Sequence, residues 1–264
     1  MRCIRAAELV SLALLAGCSD SMDPGPARLD GNFEGRVLTN GAGEDWYLGL
    51  TLRESVGIIS GSGFVSVYPG FASTVTGTRE GAEVNLEIRP VGSGLMYPFM
   101  GTLHGDTLIG VIYPGASTPF PMEFIRVDTV ASGEHSSQWT GSLARTVTGS
   151  SVFGYNFELN RLNLALTSTG NGIRTDLLFQ WEGRDLPGRG TYDVSGTTLP
   201  HAFVTEISEE GAVLRNFAVQ NGTIQLDVAR RWALIGRFSL TATHQNQSVQ
   251  ITGSFSAGCA SGIC

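Results

Sequence analysis

The sequence contains no lysine: all 17 basic residues are arginine, and they stand against 24 acidic residues. The resulting net charge of −7 excludes the basic surface that nucleic-acid-binding proteins use to neutralise phosphates. We therefore expect no nucleic-acid partner. The same balance favours solubility and repels anionic surfaces.

Motifs for metal, cofactor and nucleophilic chemistry are also missing. The four histidines, His104, His135, His201 and His244, are far apart in the sequence and form no zinc-binding pattern. The chain lacks a Gly-x-Ser-x-Gly nucleophile elbow, a calcium loop, a phosphate-cradling loop and a dinucleotide fingerprint. These absences predict a protein without a metal, without a cofactor and without enzymatic activity.

What the chain does contain is glycine, 35 residues of it, together with frequent Val, Ile, Leu and Phe. Apolar residues alternate with polar ones between short turns, which is typical of strands, and no helical period interrupts them up to residue 127. The clearest example is Trp46 to Arg53, where Trp46, Leu48, Leu50 and Leu52 share one face. Eight such runs are predicted as strands: 32–38, 46–53, 56–67, 73–79, 82–89, 97–103, 107–113 and 121–127.

The turns between these runs are short enough to make consecutive strands antiparallel neighbours. Eight antiparallel strands in sequence order can hide their edges by closing into an up-and-down barrel. We therefore predict an all-β protein whose first domain, residues 30–128, is an eight-stranded antiparallel meander barrel, with an open sandwich as the alternative. Small polar residues at 128–137 predict a boundary, followed by a β-sandwich-like domain at 138–258 and a Cys-containing tail at 259–264.

The amino terminus resembles the signal peptides of bacterial lipoproteins. Two arginines precede a short apolar run that is too short to span a bilayer, and the lipobox Leu15-Ala16-Gly17-Cys18 matches the family at every position. The resemblance implies cleavage of residues 1–17, lipidation of Cys18 and a polar tether at 18–29. The processed chain would carry 15 basic and 23 acidic residues, a net charge of −8. The membrane would then be a partner through this lipid, and Ser19 favours the outer membrane of the cell envelope.

Residues 31–127 resemble the calycin superfamily of lipocalin-like and streptavidin-like barrels. That family carries Gly-x-Trp on its first strand and, on its last strand, an arginine that packs on the ring. Here Gly31-Asn32-Phe33 and Arg126 stand in those places. The resemblance implies that Arg126 lies over Phe33 as a structural plug of the barrel.

The last seventy residues resemble uncharacterised secreted β families of bacterial lipoproteins, through Gly190-Thr191-Tyr192, Gly222-Thr223-Ile224, Gly236–Leu240 and Gly253-Ser254-Phe255. These families have no assigned activity, so the resemblance implies an all-β module only. After loss of Cys3 with the signal, Cys259 and Cys264 are the free pair, and an oxidising compartment favours a disulfide between them.

Three functions are compatible with these features. The favoured one is a non-enzymatic binding or structural role in the envelope, with another envelope protein as a possible partner. The second is a carrier of a small apolar ligand, for which Tyr68, Tyr97 and Tyr113 would form a rim at the barrel mouth. The third is a carboxylate-dependent envelope hydrolase. Its candidate acids all sit at predicted turns: Glu44 with Asp45, Glu80 with Glu83, and Glu209 with Glu210.

Overall fold

The structure is a computed structural model, and it describes residues 28–37, 46–66, 71–113, 118–183, 185–197 and 199–260. The described residues form seventeen β-strands and no helix, so the prediction of an all-β chain is confirmed. No helix in these ranges is long and apolar enough to cross a membrane.

Barrel 1, which comprises the first eight strands, is a closed antiparallel meander. Each strand pairs with the next one along the chain, and β1 pairs with β8 to close the barrel. The closed meander is therefore confirmed over the open sandwich. The strands are β1 (Gly31–Val37), β2 (Trp46–Ser55), β3 (Ile58–Val65), β4 (Phe71–Glu80), β5 (Glu83–Pro90), β6 (Tyr97–His104), β7 (Thr107–Ile112) and β8 (Phe120–Val127).

Two-residue turns hold several of these strands in register. Gly81 and Gly105 adopt φ of 61°, a left-handed conformation that glycine adopts without a steric penalty. The alternating apolar side chains then point inwards and fill the barrel, from Phe33 on β1 to Phe124 on β8. None of these interior side chains is more than 7 % exposed. They therefore form the buried core of barrel 1.

Arg126 lies at one end of barrel 1, with its Cζ atom 4.6 Å from the centre of the Phe33 ring. Its guanidinium donates hydrogen bonds to the carbonyl oxygens of Arg28 and Asp30, and its Nε lies 2.7 Å from Asp106 Oδ1. This arginine thus ties β8, the β6–β7 turn and the entry to β1 together.

The remaining nine strands form barrel 2, in which eight strands close the ring and β13 pairs with β15 beside β14. Its sheet runs in the order β13, β15, β14, β12, β11, β10, β9, β17 and β16. The strands are β9 (Glu134–Gly141), β10 (Arg145–Asn156), β11 (Arg161–Gly170), β12 (Ile173–Glu182), β13 (Gly190–Val194), β14 (His201–Ser208), β15 (Val213–Arg230), β16 (Ala233–His244) and β17 (Gln247–Cys259).

The second module is a closed barrel and not the sandwich-like domain that the sequence predicted. Closure comes from β15, an eighteen-residue strand that pairs with β14 through its first part and with β16 along most of its length. The sequence pattern predicts two separate strands here, 213–219 and 223–228, because register shifts near residues 220 and 227 interrupt the alternation of β15. One long strand can therefore join both ends of the sheet.

The first strand of barrel 2 begins at Glu134, inside the segment predicted as a boundary. β9 alternates as expected of a strand, but its inward positions include the polar His135 and Ser137 before Trp139. A strand with polar residues inside does not show an apolar alternation. From the sequence alone, the run 139–147 is predicted as one strand, whereas the structure places a turn between β9 and β10 within it.

One end of the barrel 2 interior is closed by an ionic cluster over an aromatic pair. Arg145 lies over the Trp139 ring, with its Cζ atom 4.2 Å from the ring centre, and Trp139 contacts Phe217 edge to face. The fully buried carboxylate of Glu206 accepts hydrogen bonds from Arg145 and Arg215. Both arginines remain partly exposed, so the buried charge is paired while its partners keep contact with water.

The two barrels pack against each other along the outer face of β1, β2 and β3. Tyr47 and Phe64 point out of barrel 1 and join the core of barrel 2. The Tyr47 hydroxyl accepts a hydrogen bond of 3.0 Å from the Ala131 N–H, and burial raises the pKa of Tyr47. Ser66 Oγ donates to the Cys259 carbonyl oxygen. The two barrels therefore share a buried joint.

An ion pair seals the edge of this joint. Glu34, which is 4 % exposed, is held by Arg230 through two hydrogen bonds, from Nε at 3.0 Å and from Nη2 at 2.9 Å. Arg230 also donates to the carbonyl oxygen of Thr129 in the linker between the barrels, residues 128–133. A two-point pair of this kind fixes orientation as well as distance.

Candidate binding surface

The three tyrosines predicted to form a ligand rim lie in different surroundings. Tyr97 points into barrel 1 and is 6 % exposed, and its burial raises the pKa of the phenol. Tyr113 is half-buried just after β7, and its N–H donates a hydrogen bond to the Pro98 carbonyl. Tyr68 lies outside the described residues. Tyr97 belongs to the core of barrel 1 and Tyr68 is not described, so the aromatic rim stays a prediction.

The other residues singled out from the sequence are placed as follows. Cys18 and Cys264 lie outside the described residues, and Cys259 is buried at the end of β17, so the disulfide stays a prediction. Of the candidate acids, Glu44 and Asp45 are also outside the described ranges. Glu80, Glu83, Glu209 and Glu210 are exposed at turns. A hydrogen bond with Ser208 lowers the pKa of Glu210, which keeps that carboxyl ionised.

The structure does show a groove on the outer face of barrel 2, with a volume of about 810 Å³. It crosses five neighbouring strands, β10, β9, β17, β16 and β15, and it ends near the linker at Ser132. We call it the transverse groove. Its lining comprises Ser132, Glu134, His135, Ser136, Thr148, Gly149, Asp227, Ile235, Gly236, Arg237, Ser254, Phe255 and Ser256.

Strand register arranges the outward side chains of the groove in two rows. In the first row, Thr148, Ser136, Ser254 and Arg237 are successive cross-strand partners. In the second row, Glu134, Ser256 and Ile235 are partners in the same way. Because side chains alternate along a strand, the residue between two row members points inwards and leaves its backbone as the floor.

Asp227 extends the second row because of an irregularity in β15. The pairing with β16 shifts between Leu226 and Val228, so Asp227 is the extra residue of a bulge and is exposed. Bulges commonly redirect a side chain in this way. The bulge brings a carboxylate to the β15 end of the groove.

The charged end of the groove is held by a chain of hydrogen bonds. Gln225 Oε1 accepts from Arg237 Nε at 3.1 Å and from Nη2 at 2.9 Å, and Gln225 Nε2 donates to Asp227 Oδ1 at 2.9 Å. The side chains of Ser136, Thr148 and Ser254 are exposed and make no hydrogen bond to the rest of the described chain. The groove thus offers positioned charged groups beside hydroxyls that can still donate and accept.

His135 lies under the floor of the groove and is 4 % exposed. Its Nδ1 is 3.0 Å from the Ser150 carbonyl oxygen, which can only accept, so Nδ1 carries the proton. The Nε2 atom is buried without a hydrogen-bond partner. Burial lowers the pKa of His135, although the bond to Ser150 opposes this effect. The ring is therefore neutral at neutral pH.

This neutral histidine predicts a pH dependence of stability. An unfolded histidine titrates near pH 6.5, whereas folded His135 has a lowered pKa. As the pH falls below about 6.5, the unfolded chain takes up a proton that folded His135 does not, and stability falls until the lowered pKa is passed. Denaturation followed by circular dichroism should show this slope, and His135→Gln should flatten it. The exposed His104, changed to Gln, is the control and should leave the slope intact.

Two kinds of chemistry find little support in the groove. No group of three His, Cys, Asp or Glu side chains comes together among the described residues in a way that would hold a metal ion. Glu134 and Asp227 both line the groove, but both are exposed. A carboxyl that acts as a general acid is usually desolvated so that it keeps its proton, and neither position provides such an environment.

No family model and no curated protein matches the chain. Among solved structures, it is similar to the Burkholderia oklahomensis agglutinin at 13 % identity, covering 85 % of this chain and 94 % of that one with a TM-score of 0.27. It is also similar to the Myxococcus xanthus hemagglutinin, crystallised with α3,α6-mannopentaose, at 12 % identity with coverages of 85 % and 99 % and a TM-score of 0.25. TM-scores this low support no inference about the present chain.

Proposed function

We propose that this protein is a non-enzymatic carbohydrate-binding protein and that its ligand lies in the transverse groove. The observation that carries the proposal is the pair of outward rows, in which unpaired hydroxyls stand beside the positioned Arg237 and Asp227. A sugar presents hydroxyls that each donate and accept, so it can satisfy both kinds of group at once. The half-buried Ile235 provides an apolar contact for the C–H face of a ring.

Other ligand classes fit this surface less well. An apolar ligand would remove Glu134, Arg237 and Asp227 from water without replacing their hydrogen bonds, which is unfavourable. An anionic ligand would meet two carboxylates against one guanidinium. An uncharged polyhydroxylated ligand avoids both penalties.

The proposal is tested by printing neutral and acidic oligosaccharides on an array and probing it with the purified chain, residues 19–264. We expect binding to at least one neutral glycan. Arg237→Ala should weaken that binding about tenfold or more, which is the effect of losing about 1.4 kcal/mol of polar contact. Arg174→Ala is the matched control, since Arg174 is exposed on β12 and pairs with Asp176 away from the groove. An array without signal, or equal losses in the two variants, would contradict the proposal.

We also propose that the protein is anchored to the bacterial envelope through a lipid on Cys18. The lipobox Leu15-Ala16-Gly17-Cys18 supports this proposal. In cells fed a radiolabelled or clickable fatty acid, the wild-type chain should incorporate label and fractionate with the outer membrane. Cys18→Ser should abolish both, while Cys3→Ser should change neither. Equal labelling of the two variants would rule out the anchor.

A further inference from the structure

The direction of the groove relative to the strands restricts the shape of the ligand. The lining residues come from five consecutive strands, and within each row the neighbours are direct cross-strand partners. The groove therefore runs perpendicular to the strands. Neighbouring strands lie about 4.8 Å apart, so four spacings give a groove of roughly 19 Å.

The width of the groove is set by the strand repeat. The two rows are separated along each strand by one inward residue, as Ser254 and Ser256 are separated by Phe255 on β17. Two residues of strand span roughly 6.6 Å, which accommodates one sugar ring between the rows. Gly236 and Gly149 contribute to the floor without a side chain.

We infer that the ligand of the groove is a linear, uncharged oligosaccharide of about four rings that lies across the strands, with about one ring for each strand spacing of 4.8 Å. The inference rests on the proposed function and adds chain shape and length to it. Hydroxyls of Thr148, Ser136 and Ser254 follow one edge of the sugar chain at this interval. Arg237 and Asp227 hold its last ring at the β15 end.

An extended peptide fits the same groove poorly. Peptides that bind to sheets gain affinity from main-chain hydrogen bonds to a free strand edge. β9, β17 and β16 are each paired on both sides where they cross the groove, so their backbone groups are already used. The outward side chains, and not the backbone, are what a ligand contacts here.

Length dependence tests the inference separately from the proposed function. The array should contain linear neutral oligosaccharides from a single ring to about six rings, together with branched and acidic glycans. We expect a linear neutral series to bind, with affinity rising about tenfold or more from two rings to four and changing little beyond that. Calorimetry on the members of that series supplies the dissociation constants.

A groove-specific variant completes the test. Thr148→Trp fills the β10 end of the groove. It should lower the affinity for an oligosaccharide of four rings and leave the affinity for one of two rings unchanged. Thr146→Trp is the control and should change neither affinity, because Thr146 is the next outward residue on β10 and lies outside the groove. Equal affinity for one ring and for four, or binding only to branched neutral glycans, would overturn the inference and leave the proposed function standing. Binding only to acidic glycans would contradict both. An array without any signal would overturn both.

Discussion

Replacing Trp139 with alanine should lower the free energy of unfolding by about 3–5 kcal/mol, the usual effect of removing a large buried aromatic side chain. Trp139 is fully buried, supports Arg145 through its ring face and contacts Phe217. Its loss leaves a cavity directly beneath the Arg145–Glu206–Arg215 cluster. Because β9 also carries Glu134 and Ser136, we expect sugar binding to weaken as barrel 2 loses stability.

Chemical denaturation followed by far-ultraviolet circular dichroism measures this effect without relying on tryptophan fluorescence. Gln138→Ala is the matched control, because Gln138 is the outward neighbour of Trp139 on the same strand and is exposed. Its effect should stay within about 0.5 kcal/mol, as is usual at the surface. Similar losses in the two variants would contradict the burial of Trp139 in the interior of barrel 2.

Replacing Gly133 with alanine should disrupt the joint between the barrels and lower stability by about 2–5 kcal/mol. An alanine Cβ at this position would lie 1.9 Å from Phe64 Cε2, and the backbone φ is 73°. The clash adds about 1–3 kcal/mol to the roughly 1–2 kcal/mol of left-handed backbone strain. Gly133 also donates to the Ser256 carbonyl and accepts from the Ser151 N–H, so movement of the linker would disturb β17 and β10.

Gly81→Ala separates these two contributions. Gly81 has φ of 61° and no atom within 4 Å of the added Cβ, so its substitution carries the backbone strain alone. The midpoint of thermal unfolding should therefore be clearly lower for Gly133→Ala than for Gly81→Ala. The cost of Gly133→Ala should be smaller when it is measured in a Phe64→Ala background, because that background lacks the clashing ring. Equal midpoints for the two glycine variants would contradict the described joint.

Local pattern was sufficient to predict barrel 1. Its strands alternate cleanly, as from Trp46 to Arg53, and turns such as the one at Gly81 leave only the antiparallel neighbour available. Each pairing involves adjacent segments, so the register follows from the turn. Closure of β1 on β8 then follows from the need to cover two edges.

Barrel 2 was less predictable because its closure depends on distant pairings. β9 pairs with β17 more than one hundred residues later, and β15 reaches both β14 and β16 through irregular registers. The sequence pattern of β9 is also hard to recognise, because the polar residues His135 and Ser137 occupy inward positions. The alternation of apolar and polar residues along the sequence reveals neither distant strand pairings nor polar residues at inward positions.

The transverse groove was missed for the same reason. Most of its outward side chains are ordinary serine, threonine and acidic residues, and they become neighbours only through the pairing of β10, β9, β17 and β16. The predicted aromatic rim instead includes Tyr97, whose side chain belongs to the core of barrel 1. A signal that was available is the outward run Gln250, Thr252 and Ser254 on β17, which stays polar without charge.

The most direct test of the account is a map of backbone amide chemical shifts of the uniformly ¹⁵N-labelled chain during titration with the neutral oligosaccharide that binds most tightly on the array. A sugar bound in the transverse groove should cause shift changes centred on Ser136, Ser254 and Arg237 and spreading over the five strands of the groove. Changes centred instead on the mouth of barrel 1 near Tyr113, with the groove amides unmoved, would contradict this binding site.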